Sequence, residues 1–220
     1  NANLRDTLRG ATACAHNRLD AAMRAGTGWS DRGEYTRFLS LQYQARQPVE
    51  MWLLTHAPGD LRPPPQTPLI AQDLHDLNAM LPSAKQPFAL SRDAGGHFEG
   101  ARDLKRGQVL GPVLGPVLGV AWVLAGSSLG NKAIRAETRR RASREGEAPW
   151  PDRFLSDPAM LAYWKRLKTT LENTAEMERV ELARRAAKDV FAHFLNHTQS
   201  LPDRSRGVLA PAQTQEDAWT

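Results

Sequence analysis

Apolar residues recur every three or four positions along most of the chain, which is the spacing of an amphipathic α-helix. The first such stretch carries Leu4, Leu8, Ala11, Ala15, Leu19 and Ala22. The same spacing predicts helices over about 3–25, 31–56, 69–81, 112–143, 152–172 and 175–200. Because no run of alternating β-branched residues marks a strand, the pattern predicts an all-α protein.

Glycine, proline and polar residues separate these helices. Ser30 is the expected cap of the second helix. Five prolines within residues 57–68 predict an extended loop, and residues 82–100, rich in glycine, aspartate and proline, predict another. Because apolar periodicity resumes after each loop, residues 1–200 are expected to form a single helical domain. Residues 201–220 are polar and are expected to be a flexible C-terminal tail.

Residues 107–131 carry no charge. An apolar run of about 18 residues or more is typical of a membrane span. This run, however, contains Pro112 and Pro116, and each proline removes a backbone hydrogen-bond donor that lipid cannot replace. The pattern therefore favours a buried core segment over a membrane span.

The composition is that of a globular protein of 220 residues, of which 41% are hydrophobic and 24% charged. A single cysteine, Cys14, excludes an intramolecular disulfide and a cysteine-based zinc cluster. The net charge of +5 and the isoelectric point near 9.7 suit an anionic ligand or an acidic partner but are too weakly basic to indicate a nucleic acid partner. No signal-peptide pattern opens the sequence, and a cytoplasmic location is expected.

A candidate ligand-binding pair lies on the first helix. His16 stands beside the main apolar face, and Arg9, two turns earlier, lies on nearly the same side of the helix. A neutral imidazole and a guanidinium about 10 Å apart suit a planar ligand with a central metal and peripheral carboxylates. The alternative is that His16 is a partly buried core histidine.

Two glycines four residues apart, Gly126 and Gly130, interrupt the helix predicted over 112–143. Glycine costs about 1 kcal/mol inside a helix, so the pair needs a reason. One explanation is close packing against another helix through a face of small residues. The other is that the helix bends at the glycines so that its backbone can approach a flat ligand.

Two further features have alternative interpretations. His193 and His197 have a spacing that can bind a metal, but the neighbouring Phe191 and Phe194 favour histidines at the solvent edge of the core. A basic stretch is either a solvated helix end or a docking site for an acidic partner. Its members are Lys132, Arg135, Arg139, Arg140, Arg141 and Arg144.

Together, the two halves of this arrangement resemble the heme oxygenase family. The stretch LRGATACAH, residues 8–16, resembles the proximal helix of that family, whose final histidine is the axial heme ligand. The stretch GVAWVLAGSSLGNKAI, residues 119–134, resembles the distal helix of bacterial members, and residues 164–172 and 187–191 resemble the closing helices. The resemblance extends over most of residues 4–200 and is greatest to soluble bacterial members such as those that accompany bacteriophytochromes.

The resemblance implies a single-domain helical bundle that holds heme between a proximal helix and a kinked distal helix. It implies that His16 is the axial ligand of the heme iron and that Arg9 binds a heme propionate. It also implies that Gly126 and Gly130 are the distal glycines that flex over the heme.

Other positions follow the family pattern less closely. Tyr43 falls where animal members have a tyrosine in the distal hydrogen-bond network. Lys165, or Arg166 if the register shifts by one, matches a second propionate-binding cation. Ser127 stands where animal members have an aspartate that organises distal water, which implies a rearranged water network.

The distal helix also departs from the pattern of the family. Trp122 replaces a common tyrosine, with loss of a hydrogen bond to a propionate, and Ala125 replaces a frequent glutamate. Asn131 replaces a frequent third glycine and is expected to limit how far this helix bends.

Heme oxygenases use O₂ and an external electron donor to open heme, both cofactor and substrate, to biliverdin, CO and ferrous iron. The resemblance implies this reaction here, with an acidic donor such as a ferredoxin or flavodoxin docking on the basic stretch and with neither nucleic acid nor membrane as a partner.

Two alternatives stay open. A heme-binding or heme-sequestering protein of the same fold would not turn heme over, and a thiaminase-like enzyme would need a catalytic cysteine with an adjacent base, which Cys14 lacks in sequence.

Overall fold

The computed structural model describes residues 3–83, 87–92, 111–174 and 176–199. Its helices are α1 (Leu4–Gly26), α2 (Arg32–His56), α3 (Thr67–Asp76), α4 (Gly111–Gly126), α5 (Ser128–Arg144), α6 (Arg153–Ser156), α7 (Pro158–Glu172) and α8 (Met177–Gln199). A short 3-10 turn, Gly59–Leu61, lies within the predicted proline-rich loop. The described residues include no strand, so the all-α prediction is confirmed. The predicted tail, 201–220, and much of the predicted loop 82–100 lie outside the described residues.

The prediction that Ser30 caps α2 is wrong. The cap is Asp31, whose Oδ1 accepts a hydrogen bond from the backbone N–H of Glu34 at 2.7 Å. Ser30 instead donates its backbone N–H to Oε2 of Glu34 at 2.8 Å. The two hydrogen bonds close the first turn of α2 from both sides, as in a capping box.

Two other helices differ in length from their predictions. The helix predicted over 69–81 ends earlier, before Asn78, whose φ of 57° belongs to the left-handed region that stops a right-handed helix. The helix predicted over 152–172 is split at Asp157, since a residue before a proline, here Pro158, is disfavoured in helical conformation. Asp157 then caps α7 through its side chain.

The close contact between α4 and α8 forms the centre of the fold. A Cβ added at Gly115 would lie 2.7 Å from the carbonyl oxygen of Arg179 on α8, and one added at Gly119 would lie closer still to the carbonyl oxygen of Ala183. The backbones of the two helices can therefore approach only because both positions lack a side chain. Small-residue packing thus occurs at this glycine pair.

From Gly115 to Ala125 the uncharged run is largely buried in the core, whereas Ser127, Leu129 and Gly130 further along it are exposed. Its residues that are no more than 1% exposed include Val117, Leu118, Val120, Ala121, Leu124 and Ala125. By length and composition, one described helical stretch, Leu114–Arg144, could cross a membrane, and 50% of its most apolar window is buried inside the protein.

The buried apolar side chains form two clusters. The first packs α1, α4, α7 and α8 together with the second half of α2, and the second packs the first half of α2 against α3 and α6. Residues of both clusters border the cavity described next.

Candidate functional site

A cavity of about 830 Å³ opens between α1 and the junction of α4 with α5 at Ser127. Small-molecule sites usually have volumes of about 300–1,000 Å³, so this cavity is large enough for a sizeable ligand. The residues that the sequence pointed to and that line it are Arg9, His16, Trp122, Gly126, Ser127, Gly130 and Asn131. The fold thus brings two segments that are distant in sequence to the same cavity.

His16 belongs to the α1 wall, and its side chain is 58% exposed. The alternative that it is a partly buried core histidine is therefore wrong. Its Nδ1 lies 3.3 Å from Oδ2 of Asp20, one turn further along α1, and its ring meets the edge of Phe191 at 6.1 Å between centroids. A carboxylate beside one ring nitrogen is the usual companion of a metal-ligating histidine, because it fixes the ring and leaves the other nitrogen to bind.

Gly126 and Gly130 leave open space on the facing wall. A Cβ added at Gly130 would have no neighbour within 4 Å, and one added at Gly126 would meet only Trp164, at 3.7 Å. Neither glycine is therefore required for packing between helices, in contrast to Gly115 and Gly119. The space that their missing side chains leave belongs to the cavity, which favours the second explanation, approach to a ligand.

The predicted interruption of the 112–143 helix occurs at Ser127, between α4 and α5. Its hydroxyl donates to the carbonyl oxygen of Leu124 at 2.7 Å, and its own carbonyl oxygen accepts from the backbone N–H of Gly130 at 3.1 Å. The buried Asn131 donates from Nδ2 to the carbonyl oxygen of Phe154 at 3.3 Å. The junction of α4 and α5 is therefore held by local hydrogen bonds and tied to α6, while Ser127 itself keeps helical dihedral angles.

The sequence analysis missed a buried arginine at the cavity, Arg46 of α2, which is 2% exposed. Its Nε donates to Oε1 of Gln42 at 2.9 Å, and its Nη2 donates to Oγ of Ser127. Burial lowers the pKa of Arg46 to about 10, so the side chain stays charged at neutral pH. A signal was present, because the apolar spacing from Leu39 to Val49 passes through the polar Gln42 and Arg46.

Aromatic and cationic side chains complete the lining. Trp122 and Trp164 pack together with ring centroids 5.1 Å apart, and both border the cavity. Arg5 also lines it but is paired with Glu172 at 3.1 Å. Arg9 is exposed, and none of the described carboxylates forms an ion pair with it, so its guanidinium is available to a ligand.

Three predicted site residues are not brought to this cavity. Tyr43 is 8% exposed and belongs to the second core cluster. Lys165 and Arg166 are exposed on α7, and the Arg166 guanidinium lies over the ring of Tyr163. Since Trp164 faces the cavity, the residues that follow it are carried to other sides of the helix. None of these three residues lines the cavity.

The histidine pair of α8 lies outside the cavity lining. Within the described ranges, no three His, Cys, Asp or Glu side chains come together to hold a metal ion. His193 donates from Nε2 to the carbonyl oxygen of Ala45 at 3.0 Å, and its ring packs on Phe88. Burial, assisted by the nearby His197, lowers the pKa of His193 to about 4. His193 and His197 are both half-buried, in agreement with the expectation of histidines at the solvent edge of the core.

Most cations of the basic stretch are paired within the protein. The paired members are Arg135 and Arg139, both on Asp152, and Arg140 and Arg141, both on Glu137. Lys132 and Arg144 are exposed and form no ion pair with any described carboxylate. The stretch therefore keeps a net positive charge on the surface of α5.

No protein-family model matches the chain, and no curated protein matches it significantly. Function is therefore inferred from the residues of the cavity and their geometry.

Proposed function

We propose that the protein is a heme oxygenase, which binds heme between α1 and the junction of α4 with α5 and opens it to biliverdin, CO and ferrous iron. The observation that carries this proposal is that His16 borders the same cavity as Gly126 and Gly130. A potential iron ligand thus lines the same cavity as two positions that have no side chain. The resemblance in sequence supports the proposal, since it implies the same two elements.

The donor set of the cavity fits heme iron better than a free metal ion. Since the described residues offer no group of three metal-binding side chains, an ion held by His16 needs its other ligands from elsewhere. A porphyrin supplies four nitrogens, so that one imidazole is enough. Trp122 and Trp164 supply flat apolar surface for the macrocycle, and Arg9 supplies a cation for a propionate.

The residues of the cavity have separate roles in this proposal. Asp20 orients the ring of His16 through Nδ1, which would leave Nε2 free to hold the iron. Gly126 and Gly130 leave room on the opposite wall for the ligand. Ser127 donates its hydroxyl proton to the carbonyl oxygen of Leu124, and its remaining lone pair can hold an ordered water as a proton source.

Heme supplies the redox-active iron and is also the substrate, with O₂ and electrons as co-reactants. The electrons would come from an external donor, as the resemblance to heme oxygenases implies. We propose an acidic donor such as a ferredoxin or flavodoxin, since Lys132 and Arg144 of α5 are exposed cations that an acidic surface can contact.

The test is hemin titration followed by reduction. One equivalent of hemin should produce a Soret band, and ascorbate or a ferredoxin with its reductase, in air, should bleach that band. Chromatography of the product should then show biliverdin. A protein that gives no Soret band with hemin would rule out the proposal.

The variant His16→Ala should fold, because the side chain is 58% exposed, but it should lose both the ligated heme spectrum and biliverdin formation. His75→Ala is the matched control, since the His75 side chain is 88% exposed on α3 and does not line the cavity. The control should bind and convert heme like the unmodified protein. An unchanged spectrum and turnover in His16→Ala would remove His16 as the iron ligand.

A second candidate function is heme binding without turnover. The observation that favours it is the hydrogen bond from buried Asn131 to the carbonyl oxygen of Phe154, which ties the distal wall to α6 and limits its movement. A Soret band that persists under O₂ and reductant, with no biliverdin, would support this candidate over the oxygenase.

A further inference from the structure

Arg46 is a buried cation beside the cavity. It is 2% exposed, yet its side chain lines the cavity opposite the α1 wall. Removing a charged group from water costs several kcal/mol unless other groups compensate it. The hydrogen bonds and charges around Arg46 therefore decide whether the protein itself provides that compensation.

The hydrogen bonds of Arg46 leave one nitrogen without a partner. Nε donates to Gln42, Nη2 donates to Ser127, and the guanidinium lies over the ring of Phe154 at 5.0 Å from its centroid. Nη1 is also buried, but no described residue accepts a hydrogen bond from it. An arginine can donate five hydrogen bonds, and a buried donor without a partner costs about 1–3 kcal/mol.

No described carboxylate forms an ion pair with Arg46. Glu50, one turn further along α2, attracts it electrostatically. The oxygens of Glu50, however, accept hydrogen bonds from the backbone N–H groups of Gln66 and Thr67, at 2.8 and 3.2 Å, and from the Thr67 hydroxyl. The partners that Arg46 does contact, Gln42 and Ser127, are neutral. The positive charge beside the cavity therefore lacks a contacting counter-charge.

We propose that Arg46 is an anion-binding group of the cavity, which takes a small anion, or the anionic atom of a larger ligand, beside Ser127. The ligand supplies both the acceptor for Nη1 and the missing negative charge. Where heme occupies the cavity, which rests on the function proposed above, Arg46 would hold an anion that binds the ferric iron. Gln42 and Ser127 are positioning residues that hold the guanidinium in place.

The experiment measures azide binding to the hemin-loaded ferric protein by its absorption spectrum. Arg46→Met removes the charge and the donors, and it should weaken azide binding about 10- to 100-fold, since a hydrogen bond to a charged group contributes about 1.5–3 kcal/mol. Arg46→Lys keeps the charge but not the planar fork, and its affinity should lie between the two. Arg179→Met is the matched control, because Arg179 also has a buried nitrogen without a partner but does not line the cavity.

A neutral ligand separates anion binding from a merely structural role of Arg46. Imidazole also binds ferric heme but carries no charge, so Arg46→Met should leave its affinity within about threefold while azide affinity falls. An equal loss for both ligands would mean that the substitution distorts the cavity, and it would overturn the proposal. The proposal would also be overturned if Arg46→Met and Arg46→Lys bound azide as tightly as the unmodified protein does.

The apo-protein provides a test that does not depend on heme. In protein labelled with ¹⁵N-arginine, the Nε–H signal of Arg46 is the one missing from Arg46→Met, and azide should shift it without shifting that of Arg179. A shift in a protein that gives no Soret band with hemin would sustain the anion site and reject the heme oxygenase proposal. No shift in the apo-protein, together with unchanged azide affinity in hemin-loaded Arg46→Met, would reject the anion site and leave heme binding intact.

Discussion

Single residues determine how much space the cavity keeps. At Gly126 and Gly130 a missing side chain leaves room for a ligand, whereas at Gly115 and Gly119 it leaves room for the backbone of α8. Glycine therefore has two different roles within one stretch of helix. Substitutions at the two pairs should accordingly affect different properties, ligand affinity at the first and stability at the second.

Substitutions at Gly126 test its role at the cavity. Gly126→Ala should be tolerated and should stabilise the protein by about 0.5–1 kcal/mol, because the added Cβ would lie 3.7 Å from Cζ3 of Trp164, an ordinary contact. Gly126→Leu should weaken hemin binding at least roughly tenfold, because its longer side chain extends toward Trp164 into the cavity. Urea unfolding measures the first effect, and hemin titration measures the second.

Gly10→Leu is the control for this prediction, since Gly10 is a helical glycine of α1 with no neighbour within 4 Å of an added Cβ and does not line the cavity. It should bind hemin as the unmodified protein does. Hemin affinity that is the same in Gly126→Leu and in the control would mean that heme does not approach the glycine wall.

At this scale the sequence predicted some site residues and missed others. His16 and Gly126 could be identified from the sequence alone. A histidine beside the apolar face of an amphipathic helix and a glycine inside a helix are both unusual. Arg46 was missed because its local signal, a polar residue within an apolar spacing, does not show that the guanidinium is buried against Ser127. Lys165 was assigned by position in a motif, and a motif does not fix which side of α7 faces the cavity.

At the level of elements, the contact between α4 and α8 holds the glycine-bearing wall in place. Gly119 is its tightest point, since an added Cβ would overlap the backbone carbonyl group of Ala183 and lie 3.0 Å from its Cα. A backbone atom in a helix cannot move aside as a flexible side chain does. The distance between α4 and α8 is thus set by the absence of a side chain at this position.

Gly119→Ala should therefore destabilise the protein by about 1–3 kcal/mol, the usual cost of overpacking a tight core. Gly10→Ala is the matched control, and it should be neutral or stabilising by about 0.5–1 kcal/mol because its Cβ would enter open space. The midpoint of urea unfolding measures both changes. Equal midpoints for Gly119→Ala and Gly10→Ala would show that α4 and α8 can separate without cost.

Helix boundaries show why element lengths were predicted less well than element types. The start of α3 is fixed by Glu50 of α2, whose carboxylate accepts the backbone N–H groups of Gln66 and Thr67. That contact joins residues distant along the chain, so no local pattern could reveal it. The break at Asp157, by contrast, was readable from the Asp-Pro dipeptide, because a proline disfavours helical conformation in the residue before it.

At the scale of the whole molecule, α2 and α8 are joined by a contact that includes a titratable side chain, and both helices border the cavity. His193 connects them through the hydrogen bond from its Nε2 to the carbonyl oxygen of Ala45. The ring is packed between Phe88, at 5.3 Å between centroids, and His197, at 4.5 Å. A second proton on this ring would place a charge in a largely apolar contact, which makes the link sensitive to acid.

The sign of this effect follows from the pKa of His193, which burial lowers from 6.5 to about 4. The unfolded chain takes up a proton near pH 6.5, whereas the folded protein resists it until about pH 4, so stability is lost as pH falls between these values. The loss should be about 2 kcal/mol, less than the full shift would give, because the ring is partly exposed to solvent. His193→Gln keeps a donor for the carbonyl oxygen of Ala45 but cannot titrate, so its stability should fall less over this range.

His75→Gln is the control at an exposed site, and its stability should depend on pH as that of the unmodified protein does. Urea unfolding at pH 7 and pH 4.5 compares the three proteins. An equal loss in His193→Gln and in the unmodified protein would place the acid sensitivity elsewhere than at the contact between α2 and α8.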